Sequence, residues 1–216
     1  MKTLTLIFLF ALSSFFSFAQ TAQELYDEAY QQLTEGVNAA VVVQTLQACI
    51  NTDKSFEEAY ILRAFVFYKL GDYEAAIKDY SSLLEVNPNH LEALKQRAFT
   101  RIQTKDYVGA IEDHTKRIKI NSQNAVAYFD RAYCQGLIGK NDLAIEDYSE
   151  AIRLDYKYAA AYKNRGIALI NEVIAAKKGK HPTIDEAEEA CNDFATALQY
   201  GETSAKEYLF KYCVEE

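Results

Sequence analysis

The chain has 216 residues, of which eight are glycine and two are proline. So few turn-forming residues exclude a sandwich or barrel of many short strands, because such folds need a turn signal every ~8–12 residues. With 50% hydrophobic and 25% charged residues, a mainly disordered chain is excluded, and the net charge of −8 argues against nucleic acid as a partner. The composition favours long helices joined by tight connections.

The first predicted element is a secretory signal peptide over residues 1–19. Lys2 gives a positive start, an apolar stretch runs from Leu4 to Phe18, and small residues precede a cleavage point before Gln20. This stretch is shorter than the ~20 apolar residues that a membrane-spanning helix needs, so we favour cleavage over a retained anchor. The sequence predicts an exported protein, periplasmic or secreted, with no membrane insertion after signal removal.

Residues 20–216 are organised by a repeat of 34 residues. An arginine followed by Ala or Gly recurs at this step, and so do an alanine and an aspartate. The predicted repeats are 23–56, 57–90, 91–124, 125–158 and 159–204, the last with a 12-residue insertion near 177–188. The first repeat lacks the arginine and the aspartate. A final segment, 203–214, is predicted to cover the apolar end of the stack.

Each repeat is predicted to form two helices. In 57–90, two runs with helical spacing are separated by Gly71 and ended by Pro88. Later repeats are interpreted as replacing the turn glycine with Lys105 or Asn141. A single helix pair is too thin to bury its own apolar face, so its stability must come from stacking on its neighbours.

These residues resemble the tetratricopeptide repeat family. The family pattern is matched in the second repeat by Tyr60, Ala64, Phe67, Gly71, Tyr73, Ala76, Tyr80 and Pro88. The resemblance implies an all-α fold, a right-handed solenoid of antiparallel helix pairs with about five repeats plus a C-terminal capping helix. It also implies a concave groove, lined by the first helix of each pair, that binds a protein or peptide ligand.

The resemblance further places a set of side chains on that groove. These candidate binding residues are Phe65, Tyr68, Lys95, Phe99, Ile102, Phe129, Tyr133 and Lys163. Aromatic side chains beyond the needs of a core are frequent anchors at interfaces. The alternative is that individual members belong to the packing between helices.

The most regular charged residues are four arginines and four aspartates. They are Arg63, Asp79, Arg97, Asp113, Arg131, Asp147, Arg165 and Asp193. The arginine lies eight residues before the turn position and the aspartate eight after it, so antiparallel helices bring the two to similar depth. We predict a structural ladder of ion pairs, formed within a repeat or between one repeat's aspartate and the next repeat's arginine. A row of arginines that bind ligand carboxylates is the alternative.

The cysteines suggest one disulfide and no redox motif. Cys191 lies ten residues before Gly201 and Cys213 lies twelve after it, so antiparallel helices around this turn would bring the sulfurs together. We hypothesise that they are bonded and fix the cap to the last repeat. Cys49 and Cys134 occupy small-residue positions and are predicted to be buried.

No catalytic site, metal site or cofactor site is predicted. No spacing of His, Cys or carboxylates matches a known catalytic or metal-binding motif. His114 replaces the aromatic residue found as Tyr80 and Tyr148, so we interpret it as a packing residue.

The predicted function is therefore a non-enzymatic scaffold or adaptor that binds a peptide or protein surface. The alternative is an exported repeat-type hydrolase or an accessory subunit of an enzyme complex. Such helical-repeat hydrolases carry cysteine pairs that recur with the repeat, whereas the four cysteines here occupy unrelated repeat positions. Self-assembly into a homo-oligomer through the repeat ends stays open.

Overall fold

The computed structural model describes residues 20–214, so the predicted signal peptide lies outside the described residues. Within this range there are eleven α-helices and one 3₁₀ turn, with no strand. The helices are α1 (Ala22–Thr34), α2 (Ala39–Thr52), α3 (Glu57–Leu70), α4 (Tyr73–Val86), α5 (Leu91–Gln103), α6 (Tyr107–Ile120), α7 (Ala125–Leu137), α8 (Asn141–Leu154), α9 (Ala159–Ala176), α10 (Glu188–Gln199) and α11 (Ala205–Tyr212).

Each helix packs against the next helix in the chain. The pairs α1–α2, α3–α4, α5–α6, α7–α8 and α9–α10 form repeats 1 to 5, and α11 packs on α10. The prediction of an all-α stack of helix pairs is confirmed. None of the helices between residues 20 and 214 is long and apolar enough to span a membrane.

Polar side chains fix where several helices begin. The backbone N–H of Glu24 donates to Thr21 Oγ1 at 3.2 Å, and the N–H of Thr21 donates to the Glu24 carboxylate at 2.8 Å, which makes a capping box. Asp72 and Asp106 accept hydrogen bonds from first-turn amides of α4 and α6. These caps satisfy amides that have no partner inside the helix.

The turns inside repeats 2, 3 and 4 each need one residue with positive φ. Gly71, Lys105 and Gly139 occupy this position with φ of 79°, 63° and 75°. The interpretation that Asn141 replaces the turn glycine of repeat 4 is wrong, because Gly139 makes the turn and Asn141 is the first residue of α8. Lys105 does replace a glycine there, and its Cβ makes that conformation costly.

Repeat 5 accommodates the insertion by lengthening its first helix. Helix α9 has 18 residues, whereas α7 and α8 have 13 and 14, and a loop with a 3₁₀ turn at Asp185–Ala187 leads into α10. A Cβ on Gly166 would lie 2.7 Å from the ring of Phe194, which is fully buried. This close approach explains why Gly follows the arginine in repeat 5, where the earlier repeats have Ala.

Candidate functional site

The predicted ion pairs are all formed within their repeats. Arg63 donates from Nε and from one Nη to the two oxygens of Asp79, each at 2.7 Å. The same two-bond geometry recurs, with distances of 2.6–3.0 Å, in Arg97–Asp113, Arg131–Asp147 and Arg165–Asp193. Of the two arrangements that the sequence left open, the structure has the pair inside the repeat.

The remaining nitrogen of each arginine contacts the preceding repeat. Nη1 of each donates at 2.7–3.2 Å to a polar side chain on the second helix of that repeat. The acceptors are Gln47, Ser81, Thr115 and Ser149. Sequence reasoning missed this polar series, although it also recurs every 34 residues. The guanidinium groups thus join adjacent repeats, which supports a structural role over capture of ligand carboxylates.

A row of exposed aromatic side chains runs across the first helices. Phe65 on α3, Phe99 on α5 and Tyr133 on α7 occupy the same repeat position and are 42%, 49% and 43% exposed. Ile167 on α9 continues the row in a partly buried state. We call Phe65, Phe99 and Tyr133 the aromatic row.

Three cavities lie between successive first helices, beside the aromatic row. A cavity of about 360 Å³ lies between α3 and α5 and one of about 370 Å³ between α5 and α7, while a smaller one of about 170 Å³ lies between α7 and α9. Phe99 lines the first two and Tyr133 lines the last two. Side chains of the row therefore form the walls between successive cavities.

Two other predicted binding residues also line these cavities but are partly committed to packing. The ring centroid of Tyr68 is 5.8 Å from that of Phe99 and 5.4 Å from that of Tyr73. The ring centroid of Phe129 lies 4.9 Å from that of Tyr158, and the two rings are stacked. The predicted alternative, packing between helices, thus accounts for part of the surface of these rings.

Ile102 lines the cavity between α5 and α7 and packs against the small cluster of Ala98, Ala110 and Cys134. Ile102 is therefore partly buried, and it contributes more to the packing under the cavity wall than to an exposed binding surface.

The two predicted lysines differ in their surroundings. Lys95 lines the cavity between α5 and α7, and its Nζ is 3.3 Å from a carboxylate oxygen of Glu92. Lys163 donates to Ser204 Oγ at 3.0 Å and lies 3.4 Å from Glu202. Lys163 is thus bound by the segment between α10 and α11, and it does not belong to the candidate site.

The cavity between α5 and α7 also has three buried or half-buried polar residues beside it. His114 is 2% exposed and Arg117 is 4% exposed, both on α6. Arg117 Nη1 lies 2.9 Å from His114 Nδ1 and donates to Asp130 Oδ2 at 2.8 Å. His114 and Asp130 line the cavity together with Lys95, Gln96, Phe99, Ile102, Val126, Phe129 and Tyr133. We call His114, Arg117 and Asp130 the polar cluster.

Burial shifts the pKa values of two members of the polar cluster. Burial, assisted by the positive charges of Arg117 and Arg131, lowers the pKa of His114 to about 3, so the ring is neutral at neutral pH. Burial raises the pKa of Asp130 above its ordinary value, although the hydrogen bond from Arg117 opposes this shift. Because Arg117 can only donate, Nδ1 of His114 must accept, and the proton of the neutral ring is on Nε2. Among residues 20–214, this Nε2 has no hydrogen-bond partner.

Sequence reasoning missed Arg117 and Asp130 and interpreted His114 only as a packing residue. A signal was available for two of them, because His114 and Arg117 stand where the other repeats have uncharged, mostly apolar residues. The counterparts of Arg117 are Cys49, Leu83 and Ala151, none of which carries a charged side chain.

A disulfide joins Cys191 of α10 to Cys213, which directly follows α11, with the sulfurs 2.05 Å apart. Cys49 and Cys134 are free and buried. Burial raises the pKa of the Cys134 thiol to about 12, which makes it a poor nucleophile. In the part of the chain that the structure describes, no three His, Cys, Asp or Glu side chains are arranged to hold a metal ion.

Comparison with protein families matches two segments to the tetratricopeptide repeat, residues 57–90 and residues 125–158. These segments coincide with repeats 2 and 4. No curated protein matches the chain.

Several solved structures share the fold. MamA from Desulfovibrio magneticus RS-1 is 17% identical, with a TM-score of 0.68 over 86% of this chain and 97% of that one. YrrB, described as a TPR protein with an unusual peptide-binding site, is 15% identical, with a TM-score of 0.65 over 84% of this chain and 87% of that one. A tetratricopeptide repeat protein from Parabacteroides merdae is 22% identical, with a TM-score of 0.58 over 87% and 82% of the two chains.

Proposed function

Because the chain is a tetratricopeptide repeat protein, we propose that it is a non-enzymatic scaffold that binds a peptide or protein segment along its first helices. The observation that carries this proposal is the aromatic row. Three large rings lie exposed at one repeat position, with cavities between them. The bound segment lies across α3, α5 and α7 and inserts side chains between the rings.

The energetics of interfaces support this choice. Rigid aromatic side chains lose little conformational entropy on binding and bury a large area, which makes them frequent anchors. Apolar side chains exposed together on one face of a protein often mark an interaction site. The similarity to YrrB, whose description names a peptide-binding site, agrees with the proposal at the level of the fold.

Export is a second part of the proposal. The basic start and the apolar stretch of residues 1–19 are typical of a secretory signal. The Cys191–Cys213 disulfide supports a destination outside the reducing cytoplasm. The mass of the protein purified from the cells that make it tests this point. We expect a chain that begins at Gln20, and a chain that keeps residues 1–19 would contradict export with cleavage.

Selection of random displayed peptides on the purified protein tests binding. We expect selected peptides to lose at least about tenfold in affinity when Phe65→Ala and Phe99→Ala are combined, since an anchor residue is worth about 2 kcal/mol. Val108→Ala is the matched control, because Val108 is 60% exposed but lies on a second helix, α6. Peptides that bind the double variant as tightly as the wild type would place the site elsewhere.

The same preparation distinguishes ligand binding from self-assembly. Light scattering on the protein alone gives its mass in solution. We expect a monomer whose aromatic row is free. An oligomer that dissociates in the Phe65→Ala, Phe99→Ala variant would show that the row binds another copy of the chain.

A further inference from the structure

The surface formed by the first helices becomes acidic at its N-terminal end. Four exposed carboxylates of α1 occupy the repeat positions of four α3 residues that line the cavity between α3 and α5. The α1 residues are Glu24, Asp27, Glu28 and Glu35, and their α3 counterparts are Glu58, Ile61, Leu62 and Lys69. The carboxylates of α1 therefore continue the surface that carries the aromatic row. We call these four residues together with Glu58 the acidic end.

The charge of the acidic end is not neutralised within the described part of the chain. The ion pairs formed between residues 20 and 214 include none of its five carboxylates. Residues 20–53 contain no lysine or arginine. Asp27, Glu28 and Glu35 accept hydrogen bonds of 2.8–3.1 Å only from uncharged glutamine amides. Exposed carboxylates are ionised at neutral pH, so this end presents several negative charges to a ligand.

Charged groups further along the first helices are paired. A Glu92 oxygen lies 3.3 Å from Lys95 Nζ, and Asp130 accepts from Arg117 at 2.8 Å. On α9, Lys163 lies 3.4 Å from Glu202. The cavity between α5 and α7 is lined mainly by apolar and aromatic side chains. A ligand that complements the whole surface is therefore positively charged at one end and apolar at the other.

A buried hydroxyl lies beside the cavity where these two parts meet. Tyr80 is 3% exposed and lines the cavity between α3 and α5, as do Glu58 and Phe99. Burial, with the charge of Glu92, raises the pKa of Tyr80 to about 12, so the hydroxyl keeps its proton. No residue between 20 and 214 forms a hydrogen bond with this hydroxyl. Because an unpaired buried hydroxyl is costly, it points to a ligand that brings a polar group into this cavity.

We propose that the bound segment is basic where it lies over α1 and α3 and apolar where it lies over α5 and α7. Its lysine or arginine side chains approach the acidic end, and its apolar side chains enter the cavity between α5 and α7. This inference rests on the proposed binding of a peptide along the first helices. It extends the contact surface to α1 and specifies the charge and the direction of the ligand.

Other occupants fit the acidic end less well. A metal ion needs several ligands around one point, and no three His, Cys, Asp or Glu side chains within residues 20–214 are arranged in that way. An acidic peptide would be repelled. A second copy of the chain has a net charge of −8, so long-range repulsion opposes its approach.

Selection of random displayed peptides tests the charge of the ligand. Peptides that need Phe65 and Phe99 should contain more lysine and arginine than the starting library. They should lose at least about fivefold in affinity at low salt in the triple variant Asp27→Asn, Glu28→Gln, Glu58→Gln, because each exposed ion pair contributes a small part of the affinity. High salt should weaken binding to the wild type more than binding to this variant.

A second triple variant is the matched control. Glu74→Gln, Glu85→Gln, Glu112→Gln removes the same charge from exposed positions of the second helices α4 and α6. We expect it to change the affinity by less than about twofold. Selected peptides without an excess of basic residues, or equal losses of affinity in the two triple variants, would overturn the proposal.

Photo-cross-linking tests the direction of the ligand. A benzophenone group is attached to the basic end or to the apolar end of one selected peptide, and the cross-linked protein is digested and analysed by mass spectrometry. We expect the basic end to react with α1 or α3 and the apolar end to react with α5 or α7. The reverse assignment, or reaction of both ends with the second helices, would overturn the proposal.

The two proposals fail in different ways. If selected peptides depend on Phe65 and Phe99 but bind the acidic-end variant as tightly as the wild type, the scaffold function stands and the basic ligand is wrong. If no displayed peptide depends on Phe65 and Phe99, the scaffold function is wrong. A wild-type oligomer that becomes a monomer in the acidic-end variant would show that this end binds another copy of the chain, which would also overturn the inference.

Discussion

Repeats 2 and 3 have the same backbone plan but differ in what they bury. In repeat 2, Tyr80 and Leu83 join a large apolar cluster that continues from α1 into α5. In repeat 3, the equivalent residues are His114 and Arg117. The apolar cluster centred on repeat 3 contains only Ala98, Ala110 and Cys134 as fully buried members.

The difference shows that a solenoid separates two tasks along one chain. Since each repeat contacts only its neighbours, apolar repeats can supply stability while the contact between repeats 3 and 4 carries polar groups. Repeat 3 also has the strained turn residue Lys105, where repeat 2 has Gly71. We therefore expect repeat 3 to be the less stable part of the stack.

The largest expected effect comes from the ion-pair ladder. Asp113 is fully buried and accepts hydrogen bonds from both Arg97 and Arg101, whereas Asp79 accepts from Arg63 alone. Asp113→Ala should cost about 3–5 kcal/mol in the free energy of unfolding, because it leaves buried positive charge unpaired. Asp79→Ala should cost less.

Urea unfolding of the two variants measures this difference. Glu112→Ala is the control, because Glu112 is the exposed neighbour of Asp113, and it should change stability by less than about 0.5 kcal/mol. An Asp113→Ala protein as stable as the wild type would show that the ladder contributes little.

The next effect comes from replacing the polar cluster, which lies between repeats 3 and 4, with the residues found at the equivalent positions one repeat earlier. Those residues are Tyr80, Leu83 and Gln96. The triple variant His114→Tyr, Arg117→Leu, Asp130→Gln should be more stable than the wild type by about 1–4 kcal/mol, as found when buried ion pairs are replaced by well-packed apolar groups. Denaturant unfolding gives the value. A destabilised but folded triple variant would mean that the polar cluster holds repeats 3 and 4 together.

The pH dependence of stability should be smaller and should trace to His114. Its pKa is about 3 in the folded protein and near 6.5 when unfolded, so below pH 6.5 the unfolded chain binds a proton that the folded protein does not. Stability should fall with decreasing pH, by about 1.4 kcal/mol per unit at the steepest. The raised pKa of Asp130 acts in the opposite sense at more acidic pH, so measurements are best made between pH 7.5 and 5.5.

His114→Tyr separates this contribution from the rest of the protein. Between pH 7.5 and 5.5, the variant should lose about 1 kcal/mol less stability than the wild type. His181→Gln is the control and should follow the wild type. Identical pH profiles for all three proteins would contradict the burial of a neutral His114.

The smallest effect concerns the turn of repeat 3. Lys105→Gly should stabilise the protein by about 0.5 kcal/mol, because relief of the positive φ slightly exceeds the entropy that glycine loses on folding. Gly71→Ala should destabilise repeat 2 by about 1 kcal/mol for the converse reason. Thermal unfolding of both variants measures these two changes in stability. A Lys105→Gly variant less stable than the wild type would show that Lys105 makes a compensating contact.

The regular features of the fold could be predicted because they repeat. The 34-residue step places Arg63 and Asp79 at equal distances from the turn, and equal distances on two antiparallel helices bring side chains together. The Cys191–Cys213 pair follows from the same reasoning around Gly201.

The irregular features could not be predicted, since they depend on where long side chains reach. Arg117 is one of many charged residues in the sequence, and only packing shows that its side chain turns inward to Asp130. Lys163 shares a repeat position with Lys95, but its partner Ser204 lies 41 residues further along the chain, beyond the insertion. The sequence shows that His114 and Arg117 depart from the residues at equivalent repeat positions, but it does not show that they contact each other and Asp130.

Amide hydrogen exchange with and without a selected peptide shows which helices the bound peptide covers. We expect protection along α3, α5 and α7, greatest on α5 and α7 beside the polar cluster, with little change on α4, α6 and α8 apart from the residues around His114. Protection confined to the second helices, or to α11 at the C-terminal end, would contradict it.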